Sequence, residues 1–278
     1  MTNIKIVADS SADLYVLEGA DFAVAPLKIV TTEKEYVDDV YLNLRGMIDD
    51  LKSYRGKSST SCPNTDDFIG AFGSADNVFC ITITGTLSGS YNAARLAGEM
   101  YEEANPGKKV FVLHSLSTGP EMALIIDKVV QLAHEDKSFE EICEAAQAYA
   151  QKTGLLFMLA SLQNLANNGR VTPLVAKMAG ILGIRLVGKA SDVGDLEPMH
   201  KCRGEKKALD TIVSELGDLG YNGKKVYIGH CFNEEAGISL MKLIQKKYKE
   251  AQVELYPLGA LCSFYAEEGG LLVGFEKE

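Results

Sequence analysis

The chain has 278 residues, a formal net charge of −10 and a pI near 5.0, and its longest basic blocks are pairs such as Lys224-Lys225 and Lys246-Lys247. That length is ample for two layered domains, and the acidic balance excludes the basic stripe that nucleic acid or an anionic membrane surface requires. No apolar run approaches the roughly 18 residues of a bilayer span, and Ile4-Lys5-Ile6-Val7-Ala8 follows Met1 too closely for a signal peptide, so a cytoplasmic protein without stable membrane insertion is expected.

Residues 4–8 form a short apolar strand ending in the polar turn Asp9-Ser10-Ser11-Ala12-Asp13, as where a parallel strand meets its ligand-bearing loop. Phe22 to Val30 predicts a second strand, and Asn43 to Tyr54 a helix with Leu44, Met47, Ile48 and Leu51 on one face. A hydroxyl cluster, Ser58-Ser59-Thr60-Ser61-Cys62-Pro63-Asn64-Thr65, precedes a further helix at Phe68-Ile69. The central strand, Asn77 to Thr84, runs through Gly85-Thr86-Leu87 into a helix from Ser88 to Glu103. Small hydroxyl residues and Gly89 at that helix start fit either an ordinary cap or an anion seat, because the first helical amides lack intrahelical partners. A strand at Lys109 to Leu113 leads to a third polar turn, His114 to Gly119, and helices over 120–136 and 138–152 complete this half. The alternation predicts an α/β chain whose first domain, 1–153, is doubly wound around a mostly parallel sheet, with its polar turns on one rim.

The second domain, 154–278, is predicted as α/β with a mixed sheet. Leu155–Leu159 reads as a strand, Leu162–Ala166 as a short helix, and Asn167-Asn168-Gly169-Arg170-Val171 as a turn bearing one cation. A helix through Val175–Met178 precedes a strand from Gly180 to Val187, which pairs antiparallel with Gly194–Met199 across a hairpin. A helix Glu205–Leu216, a strand Lys225–Gly229, a helix Glu234–Lys247 and strands Gln252–Tyr256 and Gly269–Phe275 finish the chain.

Gly183-Ile184-Arg185-Leu186-Val187-Gly188-Lys189-Ala190 approaches a phosphate-binding loop, but its bulky interior favours a strand and Ala190 lacks the hydroxyl that would hold magnesium. Cysteines 62, 80, 143, 202, 231 and 262 are dispersed without a Cys-x-x-Cys pair, which fits reduced thiols and no metal site. Histidines 114, 134, 200 and 230 are scattered, and no catalytic base stands beside Ser88 in sequence. Hydroxyl-rich turns without a base suit holding an anion better than attacking a carbonyl. Arg170 and the run Lys201 to Lys207 are the basic features that look placed, either as solvated surface or as a dock for a phosphate-bearing partner or ligand.

Five short motifs stand in order along the chain: Asp9-Ser10-Ser11-Ala12-Asp13, Thr60-Ser61-Cys62-Pro63, Leu87-Ser88-Gly89-Ser90-Tyr91-Asn92, Gly169-Arg170-Val171 and Arg203-Gly204-Glu205-Lys206-Lys207-Ala208. Together they resemble the DegV family of fatty-acid-binding proteins over essentially the whole chain. The resemblance implies a long-chain fatty acid in a tunnel between the domains, with its carboxylate held by hydroxyls and no cofactor. Thr60, Ser61, Ser88 and Gly89 would hold the carboxylate, and Asp9, Ser10 and Ser11 would line the same end. It further implies a separate ATP-dependent fatty acid kinase as partner, which makes an acyl phosphate for phospholipid synthesis, with Arg170 and Arg203 at the docking positions. The family's Gly-Thr-His-x-Gly-Pro-Gly corresponds here to Ser263 through Gly269, so Tyr265 replaces a histidine near the carboxylate. Tyrosine hydrogen-bonds a carboxylate but carries no positive charge near neutral pH. Two rivals remain: a lipid carrier or sensor without a kinase partner, and a hydrolase or transferase on a small anion with Ser88 as nucleophile.

Overall fold

The computed structural model describes residues 3–135, 137–172, 175 and 183–278. Strands β1 (Ile4–Asp9), β2 (Phe22–Ala25), β6 (Asn77–Thr82) and β7 (Lys109–His114) form an all-parallel sheet in the order β2-β1-β6-β7. Both faces are covered, and the two-residue period of a strand divides its side chains between them. Val7, Val78 and Cys80 face α2 (Thr65–Phe72) and α3 (Ser90–Ala104), while Ile6, Ala8, Phe79 and Ile81 face α4 (Pro120–Ala133) and α5 (Phe139–Ala150). Capping boxes start α2 at Asn64 and α5 at Ser138, satisfying amides that the helices cannot. The carboxyl ends of β1, β6 and β7 share one rim, as the alternation of strands and helices predicts.

The strand expected over Phe22–Val30 is two strands in two sheets. Pro26 interrupts it, having no N–H for a ladder, and the Leu27 amide turns to donate to Ser10 Oγ at 3.0 Å. Beyond this break β3 (Lys28–Val30) joins β4 (Glu35–Val37) and β5 (Ser59–Ser61) in a small antiparallel sheet ordered β4-β3-β5. The helix α1 (Leu44–Ser53) buries Met47 and Ile48 beside Ile29 and Tyr36 of this sheet.

The larger sheet is mixed, with the order β10-β9-β8-β13-β11-β12. Its strands are β8 (Thr153–Leu159), β9 (Ile184–Ala190), β10 (Leu196–Arg203), β11 (Tyr221–His230), β12 (Gln252–Pro257) and β13 (Leu271–Lys277), and the β11–β12 pair is parallel while the others are antiparallel. After α6 (Gln163–Asn167), the helix expected through Val175–Met178 and residues 180–182 of the next strand lie outside the described residues, apart from helical Val175. Helices α7 (Glu205–Asp218) and α8 (Glu234–Lys247) cover one face of this sheet. The other face turns toward the parallel sheet, and α4 lies between the two. Met122, Ile125 and Val129 of α4 pack on one sheet, and Ala123 and Leu124 meet Tyr227 of the other. The approach is close enough that a Cβ at Gly274 would stand 2.5 Å from the Pro120 carbonyl carbon.

One helix escapes the sequence pattern: α9 (Ala260–Ala266), in which six of seven residues are buried. Apolar nearly all round, it has no amphipathic stripe to show it.

Candidate functional site

A cavity of about 290 Å³ opens between the rim of the parallel sheet and the inner face of the mixed sheet. Its inner wall follows from strand periodicity. Leu156 and Met158 of β8 face α7 and α8, so Leu155, Phe157 and Leu159 face the cavity, where Leu165, Leu196 and Leu272 continue the apolar surface. The β9–β10 hairpin closes over it at Gly194, whose φ of +84 and missing side chain admit Thr84: a Cβ there would lie 2.1 Å from Thr84 Oγ1. Thr86 Oγ1 donates to the Gly194 carbonyl at 2.7 Å.

One group of polar lining residues is at least partly exposed to solvent. Thr60 and Ser61 come from β5, Ser88 and Gly89 from the turn into α3, Arg170 from the turn after α6, and Tyr265 from α9. Thr60 Oγ1 and the Tyr265 hydroxyl are 2.7 Å apart. Arg170 Nε donates to the Leu87 carbonyl at 3.2 Å, and its Nη1 donates to the Asn168 carbonyl at 2.6 Å. Ser88 Oγ accepts from the Ser90 amide at 3.2 Å and lies 3.0 Å from Ser90 Oγ. Gly89 caps α3 without a side-chain bond, so the positive end of that helix faces the same corner. Burial pushes the Tyr265 phenol upward, against the hydrogen bond from Thr60 and the nearby Arg170 charge, and it stays a neutral hydrogen-bonding group at pH 7. The exposed Cys62 thiol is beside Gly89.

Thr60, Ser61, Ser88, Gly89, Tyr265 and Arg170 are thus brought together. Three residues expected with them are not. Asp9, Ser10 and Ser11 are fully buried and do not line the cavity. They fold back as a short 3-10 turn whose side chains tie strand ends together. Asp9 accepts from the Ile83 amide at 2.9 Å and from the Ser11 amide and hydroxyl. Ser10 holds Leu27, and the Ser11 carbonyl accepts from Gly119 N at 2.7 Å, from Thr118 Oγ1 and from Cys262 Sγ. Each contact positions a segment that does line the cavity. Burial raises the Asp9 pKa to about 6, while bonds from Ser11, Ile83 and Ser90 hold it down. Arg203, the last residue of edge strand β10, is exposed and away from the cavity.

Two acidic residues hold α9 in place, Asp13 at the end of the first polar turn and Asp38, which the sequence did not single out. Asp38 accepts from the amides of Ala260 and Leu261 at 2.9 and 3.0 Å and from the Tyr15 hydroxyl at 2.5 Å, and Asp13 accepts from the Gly259 amide at 2.8 Å. Both are buried. The Asp13 carboxyl is raised well above the usual range by burial and then by the neighbouring Asp38 charge. Only the separately placed α9 gives Asp38 its role. His114, the histidine nearest the Ser88 turn in sequence, accepts from the Gly85 amide at 2.6 Å and stacks on Tyr91 at 4.3 Å. Burial lowers its pKa.

The sequence profile of the family described as "Uncharacterised protein, DegV family" matches residues 3–278. The chain belongs to the DegV family. A DegV domain-containing protein of Streptococcus pneumoniae strain R6 is 42% identical over 276 residues, which are 98% of each chain. Among solved structures, a DegV family protein of Eubacterium eligens loaded with heptadecanoic acid is 43% identical, with a TM-score of 0.97 over 99% of this DegV chain and 100% of that one. The Fatty Acid Kinase (Fak) B3 protein of Streptococcus pneumoniae, loaded with linoleic acid, is 41% identical, with a TM-score of 0.97 over 100% of both chains. A DegV family protein of Ruminococcus gnavus with vaccenic acid is 27% identical, with a TM-score of 0.87 over 98% of this chain and 99% of that one.

Proposed function

We propose that this DegV chain binds a long-chain fatty acid in the cavity between its two sheets, with the carboxylate at the hydroxyl corner and the tail along the β8 wall. The observation that carries this reading is one cavity lined mostly by apolar side chains, with the hydroxyls of Thr60, Ser61, Ser88 and Tyr265 and the Arg170 guanidinium among its polar lining groups. Burying about fifteen methylenes at roughly 0.8 kcal/mol each gives a gross drive on the order of 12 kcal/mol, from which lost ligand freedom subtracts a large share. Tail burial therefore dominates affinity. At a solvent-facing corner, the carboxylate needs only partial charge from Ser88, Thr60, Tyr265, the α3 amides and Arg170. Solved relatives loaded with heptadecanoic and linoleic acids support the ligand class.

The protein on this reading is a cofactor-free, cytoplasmic lipid binder, with 1–153 and 154–278 as the two domains on either side of the tail. It presents the acid to a separate fatty acid kinase; the likeness to the Fak B3 protein supports that partner, with Arg170 at the presented end and exposed Arg203 as a docking cation. The Ser88-nucleophile alternative has less support: the hydrogen-bonding neighbours of Ser88 Oγ among the described residues are the Ser90 amide and hydroxyl, and His114 is engaged with Gly85. A carrier without a kinase rests on Tyr265, which cannot supply a cation. Native mass spectrometry of the purified protein, followed by extraction and lipid identification, tests the binder. A stoichiometric long-chain acid is expected; an empty protein that also refuses a panel of fatty acids overturns the reading.

A further inference from the structure

A second cavity, of about 390 Å³, lies against β7, an edge strand of the parallel sheet. Its wall is more polar than that of the first. His114, Ser115, Glu121, Thr153, Asp192 and Lys277 line it, and the buried Glu121 carboxyl accepts from Thr153 Oγ1 at 2.8 Å. Leu155 and Ala190 line both cavities.

The fold makes these two residues a partition. Leu156 pairs with Lys189 across the β8–β9 ladder, so Leu155 and Ala190 are the next opposing positions, and opposing residues present their side chains on one face. Both belong to the apolar cluster on the cavity face, with Leu155 only 5% exposed, and Leu196, opposite Ala190 on β10, continues the row. Strand β8 also sets their place along the wall. Thr153, Gly154 and Leu155 at its start line the second cavity, whereas Leu159 at its end leads through α6 to Arg170 in the hydroxyl corner. At about 3.3 Å per residue, the step from Leu155 to Leu159 covers roughly 13 Å, so Leu155 stands at the end of the wall away from the corner.

We propose that Leu155 and Ala190 are specificity-determining residues that set the length of acyl chain this protein accepts: the terminal methyl stops against this pair because the space beyond it is polar. This rests on the fatty-acid reading above. Each methylene laid along the β8 wall is taken from water, so affinity rises with chain length until the methyl reaches the pair. A longer tail must then push the Leu155 side chain aside within a packed wall, or bring hydrocarbon up to Glu121, Thr153 and Lys277, whose polar groups it cannot hydrogen-bond.

The test measures displacement of a fluorescent fatty acid by straight-chain saturated acids from twelve to twenty-two carbons, for the wild type, Leu155→Ala, Ala190→Val and Leu159→Ala. In the wild type, affinity rises about fourfold with each added methylene, the worth of one buried CH₂, and the rise breaks at one chain length. In a close-packed wall, ligand carbons replace side-chain carbons roughly one for one. Leu155→Ala removes three carbons and moves the break up by about two to three; Ala190→Val adds two and moves it down by about two. Leu159→Ala, near the corner, lowers affinity at every length and leaves the break in place. If Leu155→Ala fails to fold, Ala190→Val decides, since valine suits a strand. A rise that continues through the whole wild-type series overturns the assignment while fatty-acid binding stands. So does a break that folded Leu155→Ala or Ala190→Val leaves in place, or an equal shift in Leu159→Ala. Failure of the wild type to bind any acid of the series is a different outcome, which overturns the fatty-acid reading and the partition with it.

Discussion

The parallel sheet and the mixed sheet contribute opposite surfaces to the same cavity, and strand direction explains the difference. Parallel strands end together, so the parallel sheet meets the cavity with its turns: Thr84 and Ser88 after β6, and Thr118 after β7. The mixed sheet meets it with a face, and a face shows every second side chain, so Leu155, Phe157 and Leu159 present an unbroken apolar wall. Turns give hydroxyls and free amides; faces give hydrocarbon. The α9 helix complicates this division, because it lies between β12 and β13 in sequence yet is clamped by Asp13 and Asp38 from the first half of the chain.

Substitutions at four positions probe this contrast, in descending order of effect. Phe157→Asp places an unpaired carboxylate on the apolar face; with the ring only 3% exposed, the fold loses several kcal/mol, on the order of 3 or more, and lipid retention disappears. Phe157→Leu, which keeps the surface apolar, retains lipid, and native mass spectra of the two variants distinguish polarity from mere disturbance. Asp13→Asn isolates the role of the clamp. An acid whose pKa is raised by folding makes stability fall as pH climbs from the unfolded value of 3.8 through the folded one. Removing that ionisation stabilises the protein at pH 7 and flattens part of this decline. Asparagine also tolerates the φ of 58 at this position and keeps an oxygen for Gly259. Denaturant unfolding at pH 5 and pH 8 checks it, and an unchanged slope would count against the clamp as described.

Ser88→Ala removes one hydroxyl from the turn side and lowers fatty acid affinity by roughly tenfold, the scale of one hydrogen bond to a solvent-facing anion. A loss exceeding a hundredfold would place the carboxylate deeper than the corner. Tyr265→Phe has the smallest effect, about threefold in affinity, because Thr60 keeps its own hydroxyl. A competitive binding titration resolves both.

Much of the framework is legible in the sequence because its cause is local. The buried run at Asn77–Thr82, the amphipathic α1 and the capping signals at Asn64 and Ser138 carry their signal within a few residues. The strand pattern across Pro26 reads as one element and is two: the apolar run continues past the proline, but the missing N–H transfers the chain to another sheet. The small residues of Asp9-Ser10-Ser11 resemble a ligand turn in sequence, yet their oxygens are used by Ile83, Leu27, Gly119 and Cys262, partners whose arrival the local pattern does not encode.

Residue order alone dictates the layered α/β architecture, the family, and which turns are rich in hydroxyls, since periodicity, capping and motif order are properties of neighbouring residues. Tertiary packing selects which of those hydroxyls face a shared cavity and which are buried struts. It also brings Arg170 to the cavity but not Arg203, and gives Asp38 a helix to hold more than 220 residues away. The physical reason is that a polar side chain is assigned by its hydrogen-bond partner, and across this fold the deciding partners come from distant strands and helices.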